Sequence, residues 1–273
     1  MRQILLFLVS LTAAFPAAAE TLIFEGRVEA WHQAELSSQL GGVVEEILFE
    51  AGDRITAGQP MIRLDATDAK LALASAEARV ALAKAELAGA TREANRQEHL
   101  FERGISPDAV VGPALTAKAA AEANLQLANA ERARAQVDLE RTLIRAPIAG
   151  FAEPPSTVTG AFLEAEAGSP LGRIVALDPV VIAYRVPYAT RLATRARTGA
   201  TTLDDMFAQI TLSIFLMNGE TYGHETRPDH ASASVDPVDG TVTVRAMLPN
   251  PDKLLRPGMM VTVHSRVNHL ETQ

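Results

Sequence analysis

The chain of 273 residues has no cysteine. Disulfides, thiolate nucleophiles and Cys-ligated metal sites are therefore excluded. A basic surplus is missing too. There are 33 acidic and 25 basic side chains, a net charge of −8, and no Lys/Arg cluster. Neither nucleic acid nor an anionic membrane face is an expected partner on that balance. No Gly-x-Ser-x-Gly stretch, Walker loop or dinucleotide fingerprint occurs. The histidines are His32, His99, His224, His230, His264 and His269, with no i,i+4 pair on a helix. His224 and His230 flank Glu225 and Asp229, a weak metal pattern that reads better as a solvated strand-to-loop segment. No catalytic, cofactor-binding or metal-ligating residue is assigned, no cofactor is expected, and the chain does not read as an enzyme.

What is there begins with an apolar run. Met1-Arg2 is a short positive start, and Ile4 to Phe15 is interrupted only by Ser10 and Thr12. Ala17-Ala18-Ala19 supplies small residues before Glu20. This predicts a secretory signal peptide over 1–19, cleaved after Ala19. The run is short for a membrane span, and without cysteine there is no lipid anchor. A soluble, extracytoplasmic mature protein is expected, with its apolar fraction of 48% sufficient for one or two cores.

The dominant stretch is 66–141. Leu73, Val80, Leu87, Ala94 and Phe101 are seven apart, and Ala69, Ala76, Ala83, Ala90 and Gln97 form the companion seam. Such periodicity predicts coiled-coil packing with close approach along the alanines. Arg103-Gly104-Ile105-Ser106-Pro107-Asp108 predicts a reversal, with Gly ending one helix, Ser capping the next and Pro at its first position. The return helix has Ala114, Ala121, Ala128 and Ala135 on one seam. Val111, Leu125 and Leu139 lie on the other, interrupted by Lys118 and Arg132. Each helix, at ~36 residues, would run roughly 54 Å, too long to be buried in a domain of this size.

An internal repeat brackets the hairpin. Gly42-Val43-Val44, Gly52 and Gly58-Gln59-Pro60-Met61-Ile62-Arg63-Leu64 match Gly150-Phe151, Gly160 and Gly168-Ser169-Pro170-Leu171-Gly172-Arg173-Ile174. The glycines mark turns or close backbone approach. The two copies predict two halves of a β-sandwich that must pack together, joining the hairpin's roots at Asp65 and Thr142. Alternation over 20–38 predicts strands. Strands are also expected at Val180 to Val186, Ile210 to Met217, Val242 to Leu248 and Met259 to Val267. A short helix is expected over Ala189 to Arg197, and Asn218-Gly219 is a hairpin turn signal. These complete a small antiparallel barrel.

With these motifs in place the chain resembles the periplasmic adaptor subunits (membrane fusion proteins) of resistance–nodulation–division (RND) efflux pumps. The resemblance rests on Gly42 to Asp65, Gly104-Ile105-Ser106, Thr142 to Gly150, and a C-terminal run. That run is Val235-Asp236-Pro237-Val238-Asp239-Gly240-Thr241, then Pro249-Asn250-Pro251 and Leu255-Arg256-Pro257-Gly258-Met259. It implies an elongated, multi-domain α+β fold: a coiled-coil hairpin inserted in a split lipoyl-like β-sandwich, followed by a β-barrel domain. The implied boundaries are 20–38 for N-terminal strands of the barrel domain, 39–65 and 142–178 for the two sandwich halves, 66–141 for the hairpin, 179–268 for the barrel and 269–273 for a tail. The family's membrane-proximal β domain is expected to be absent or vestigial.

The resemblance also implies function. Such a protein would bridge an inner-membrane RND transporter and an outer-membrane channel in the periplasm, self-associating into a ring without catalysis. The family's tip pattern places channel-binding roles on Arg96, Leu100 and Ser106, although Ser106 stands one residue nearer Leu100 than the pattern asks. Leu100 is the expected apolar knob, and Phe101 is expected to continue the seam. An adaptor of an ATP-driven exporter shares the sandwich and hairpin. A lipoyl or biotinyl carrier would need a lysine at a tight hairpin between the sandwich halves. The coiled coil occupies that place, and the nearby lysine is Lys70, at the helix start.

Overall fold

The structure is a computed structural model that describes residues 21–164 and 170–268. The expected leader and the 269–273 tail lie outside the described residues. The chain forms two compact units, one holding the chain up to Trp31 and again from Leu177, the other His32–Ala176. Strand β1 (Thr21–Ala30) belongs to the first; the chain then enters the second.

In the second unit the repeat is visible as pseudo-symmetry. Its strands are β2 (Gln33–Leu36), β3 (Gly42–Ile47), β4 (Arg54–Ile55) and β5 (Pro60–Leu64) before the helices. After them come β6 (Leu143–Arg145), β7 (Gly150–Ala152), β8 (Phe162–Leu163) and β9 (Gly172–Val175). One sheet runs β6-β5-β3-β8 and the other β2-β9-β7-β4. Exchanging β2 with β6, β3 with β7, β4 with β8 and β5 with β9 turns each order into the other. Each sheet therefore takes two strands from each half, so neither half can complete a sheet alone. Met61, Ile62, Leu64 and Ile174 are buried between them. Gly52, Gly58 and Gly160 adopt positive φ, whereas Gly150 is fixed by space, since a Cβ there would lie 2.6 Å from the Val175 carbonyl oxygen. One assignment from the sequence is corrected. Residues 33–36, grouped with the barrel by alternation, form β2 and pair with β9 in the sandwich, because the repeat extends one strand upstream of Gly42.

Two helices emerge from the sandwich, α1 (Thr67–Glu102) and α2 (Asp108–Arg141). At the root the Leu64 N–H donates to the Thr142 carbonyl at 2.8 Å. Asp65 Oδ1 accepts from the Thr67 N–H at 2.9 Å and its hydroxyl at 2.6 Å, tying down the first orphan donors of α1. The α1 seam follows the heptad: Ala69, Leu73, Ala76, Val80, Ala83, Leu87, Ala90, Ala94 and Gln97 are all buried or half-buried. On α2 the alanine seam also turns inward, and Lys118 stays on the seam. Arg132 does not. Glu131 replaces it, held across the hairpin by Arg79 at 2.8 Å.

The first unit is an antiparallel six-stranded sheet ordered β11-β14-β1-β10-β13-β12. The added strands are β10 (Val180–Pro187), β11 (Ile210–Phe215), β12 (His230–Ala231), β13 (Thr241–Leu248) and β14 (Met260–Val267). Bridges Leu212↔Thr226 and Phe215↔Thr221 carry the β11 edge round towards β12, curling the sheet into a barrel around Ile182, Leu212, Ile214, Leu248 and Val263. Helix α3 (Tyr188–Thr198) ends at Gly199 with φ 64°, the left-handed stop expected of it. A second helix, α4 (Leu203–Ala208), was not anticipated. Its signal was the Thr202…Asp205 capping box, in which each side chain bonds the other's backbone N–H.

The C-terminal run has a physical basis. Arg185 pairs with Asp239 at 2.7 Å and Asp236 at 3.6 Å, and Asp239 also accepts from the Thr241 N–H and hydroxyl. Asn250, fully buried, donates to the carbonyls of Leu177 and Leu255 and accepts from the Leu255 N–H.

Candidate functional site

The tip of the hairpin joins two of the three expected residues in one network. Ser106 Oγ–H donates to Gln97 Oε1 at 3.0 Å, Gln97 Nε2–H donates to Glu93 Oε1 at 2.8 Å, and Arg96 pairs with Glu93. The Gln97 amide and the Arg96 guanidinium hold the Glu93 carboxyl below its ordinary range. Ser106 thus does not cap α2, as its position suggested. Pro107 occupies the cap position with no side-chain bond, and the hydroxyl ties the turn back to α1 instead. Gln97 is the residue that sequence reasoning did not assign to the tip. Gln97 stood out only as the polar end of an otherwise alanine seam.

The apolar part of the tip differs from expectation. Leu100 is half-buried, its carbonyl accepting from the Ile105 N–H at 2.9 Å. Phe101, assigned to the seam, is 47% exposed, and Ile105 is 67% exposed. Val110 in the first turn of α2 is exposed too. The reason is the length of the return helix. Counting towards the tip from the Val80, Ala83, Leu125 and Ala128 cluster, the start of α2 at Asp108 falls opposite the last turn of α1. Phe101, one residue past that level, lies beyond the start of α2 and stays exposed. The tip presents Phe101, Ile105 and Val110 outward, beside the Arg96–Glu93–Gln97–Ser106 network.

The hairpin's outer edges form a second surface. Two positions from the seam is about 200° around a helix, almost opposite. On α1 that edge carries Leu71, Ala74, Ala78, Leu82 and Ala85; on α2 it carries Ala120, Ala123, Leu127, Ala130 and Val137, all exposed.

The rival sites are accounted for by other contacts. Glu225 accepts from Ser213 and pairs with Arg266 at 3.7 Å, and Asp229 accepts from the Met247 N–H. Among the described residues no group of three or more His, Asp or Glu is placed to hold a metal ion. Lys70 lies in the first turn of α1, not on a β-turn.

Residues 193–269 match the family model for the β-barrel domain of RND membrane fusion proteins. The chain is 30% identical to "Membrane fusion protein MtrC" of Neisseria gonorrhoeae over 245 residues, covering 90% of this chain and 60% of that protein. It is 29% identical to "Efflux pump periplasmic linker BepD" of Brucella suis, covering 88% and 61%. Residues 193–269 are thus a β-barrel domain of the RND membrane fusion type. The chain spans about three fifths of the length of these relatives. In fold, the chain is similar to a MacA–MexA chimera carrying the Pseudomonas aeruginosa MexA α-hairpin, with TM-score 0.61, 17% identity, and coverage of 91% and 79%. It is also similar to the membrane fusion protein Spr0693 of Streptococcus pneumoniae, with TM-score 0.69, 14% identity, and coverage of 90% and 99%. Among the described residues no helix is long and apolar enough to cross a membrane.

Proposed function

We propose that this chain is a non-catalytic periplasmic adaptor that links an inner-membrane RND transporter to an outer-membrane channel. The observation that carries this reading is the hairpin tip, where a rigid polar network sits beside an exposed apolar end. Arg96 and Ser106 serve by holding the turn, with Leu100 beneath it, while Phe101, Ile105 and Val110 supply the apolar contact. The barrel unit, with its family match, is the part assigned to the transporter. Cleavage after Ala19 delivers the protein to the periplasm.

The hairpin's edges support self-association into a ring. A two-helix slab whose middle seam is filled and whose two outer edges are both alanine- and leucine-rich is suited to side-by-side packing. The α1 edge of one copy would meet the α2 edge of the next, a head-to-tail contact that closes into a ring when its rotation permits. No bond is made or broken by this chain, and the energy for export comes from the transporter.

The test is photo-cross-linking in cells from position 105, with identification of the trapped protein. An outer-membrane channel is the expected product. Capture of the transporter from the tip would overturn the assignment of the two ends.

A further inference from the structure

Helix α3 is turned inside out. Thr190, Thr194 and Thr198 are four apart and form its inner row, Thr194 buried and the other two half-buried. Thr190 and Thr194 border the same small cavity at the barrel mouth as Phe24, Met206 and Phe207. The helix satisfies the hydroxyls internally. Thr194 Oγ1–H donates to the Thr190 carbonyl at 3.0 Å, and Thr198 Oγ1–H to the Thr194 carbonyl at 2.9 Å. Two positions from that row, about 200° around the helix, stand Tyr188, Leu192 and Ala196, with Ala189 and Ala193 beside them, all exposed. Tyr188 is 40% exposed and Leu192 50%. A surface helix ordinarily does the reverse, with its apolar side in and its polar side out. Burying the threonines costs little, because their hydroxyls are paired. Exposing the apolar row contributes nothing to the fold. Cations border that row. Arg191, its guanidinium 5.8 Å from the Tyr188 ring, and Arg195, which reaches the carbonyls of Ala200 and Thr201, share one flank. No acidic residue occurs from Pro179 to Leu203. Of the carboxylates around the helix, Asp205 is held in the capping box, Asp236 and Asp239 pair with Arg185, and Asp204 is exposed.

We propose that α3 is a peripheral membrane-binding element, which lies along the surface of an anionic phospholipid bilayer with Tyr188 and Leu192 at the acyl boundary and Arg191 and Arg195 on the phosphates. This goes beyond the bridging reading, since it adds a contact with lipid to those with protein partners. An apolar row bordered by guanidinium groups is the pattern of a helix that lies in a membrane interface. Tyrosine suits that depth, with an apolar ring and a polar tip. Arginine matches phosphate with a planar fork and lays its apolar stem along the surface. The net charge of −8 does not oppose this, because exposed charges farther away than about 10 Å are screened at physiological salt. The local balance decides, and it is basic. The position of α3 fits as well. Strand β10 begins at Val180, just after the chain re-enters the barrel unit, and α3 follows its far end. One short helix binds weakly, and several copies side by side would add avidity.

The absence of cysteine allows a single-site probe. Ala196→Cys places a label on the apolar row and leaves Tyr188 and Leu192 in place. Leu254→Cys is the control, an exposed site in the loop after β13, whose last residue pairs with Val180 at the opposite end of β10. Each chain carries an environment-sensitive fluorophore and meets vesicles of phosphatidylglycerol with phosphatidylcholine, or of phosphatidylcholine alone. A blue shift at 196 with quenching by nitroxide-bearing lipid is expected for the anionic vesicles only, with no change at 254. Leu192→Asp should abolish the response without altering melting, since the side chain is exposed. Arg191→Gln should weaken vesicle binding roughly fivefold, and Arg191→Lys should keep most of it. Binding that leaves 196 unchanged, an equal response to phosphatidylcholine alone, or no vesicle binding by the folded chain would each overturn the proposal. So would a response at 196 to detergent-solubilised transporter but not to vesicles, which would make this face a protein contact. None of these failures touches the assignment of the hairpin tip, which cross-linking from position 105 tests separately.

Discussion

The hairpin and the barrel unit are stabilised in different ways. The barrel encloses large side chains such as Ile182, Leu212, Ile214 and Leu248, each with no measurable exposure. The hairpin's buried residues are Ala76, Val80, Ala83 and Ala94 on α1 and Ala121 and Ala128 on α2. All but Val80 are alanine. Alanine lets the helix axes approach and favours helix, but each one removes little apolar area from water. The barrel therefore supplies its own core, whereas the hairpin is a thin slab that leaves comparable alanine and leucine surface on its two outer edges. The contrast teaches where partners are needed. An element that buries as little as this one, yet exposes apolar rows on both edges and at its end, is where the proposed partners would dock.

The largest effect that could break the contrast lies in the barrel. Leu212→Ala should cost about 2–5 kcal/mol, read by chemical denaturation of the β signal, with the helical far-UV signal little changed at low denaturant. Next comes the middle of the hairpin. Val80→Asn places an amide against Leu125 and Ala128 and should cost about 1–3 kcal/mol, lowering the helical melting transition. If Val80→Asn were silent, the seam would not be the contact that holds the helices together.

Smaller in stability, though large in function, are changes at the tip. Phe101→Asp and Ile105→Asp should alter stability by less than ~0.5 kcal/mol and abolish export in cells. A drop in helical melting for Phe101→Asp would return that residue to the seam. Leu100→Asp should lower melting near the turn, because Leu100 is half-buried. The smallest effect is that of pH on the tip network. The Glu93 carboxyl is held below its ordinary value by Gln97 and Arg96, so its contribution is present above the unfolded value and is lost as pH falls through the folded one. Protection of the turn amides, relative to their intrinsic exchange rates, should therefore fall on acidification below the ordinary carboxylate range, and Glu93→Gln should remove that dependence. An unchanged acid response in Glu93→Gln would assign it to another group.

Much of the fold was legible because its determinants are local or periodic. The heptad of α1 runs unbroken through Gln97, and the Gly104 reversal separates the two helices where it was expected. Val180, Val242 and Met259 each mark within a residue or so where a barrel strand begins. What was missed required knowing what lies opposite. Phe101 obeys the heptad but faces the turn, since α2 begins too late to meet it. Arg132 likewise obeys the spacing, yet Glu131 takes the seam because Arg79 across the hairpin holds it there. Ser106 stands where a cap belongs, but Pro107 takes the cap position and the Ser106 hydroxyl donates to Gln97 on α1 instead. Residues 33–36 alternate like any strand, and alternation does not say which sheet a strand joins.

By itself, then, the sequence determined the order and kind of most elements: the duplicated glycine pattern, the alanine seams, and the strands with their turn residues. Those follow from backbone preference and side-chain period, which act over a few residues. Tertiary structure alone decided which positions of each seam are covered and that the two halves of the sandwich exchange strands. Such outcomes depend on contacts between residues far apart in the chain, where the same amphipathic pattern is compatible with several partners and packing selects one.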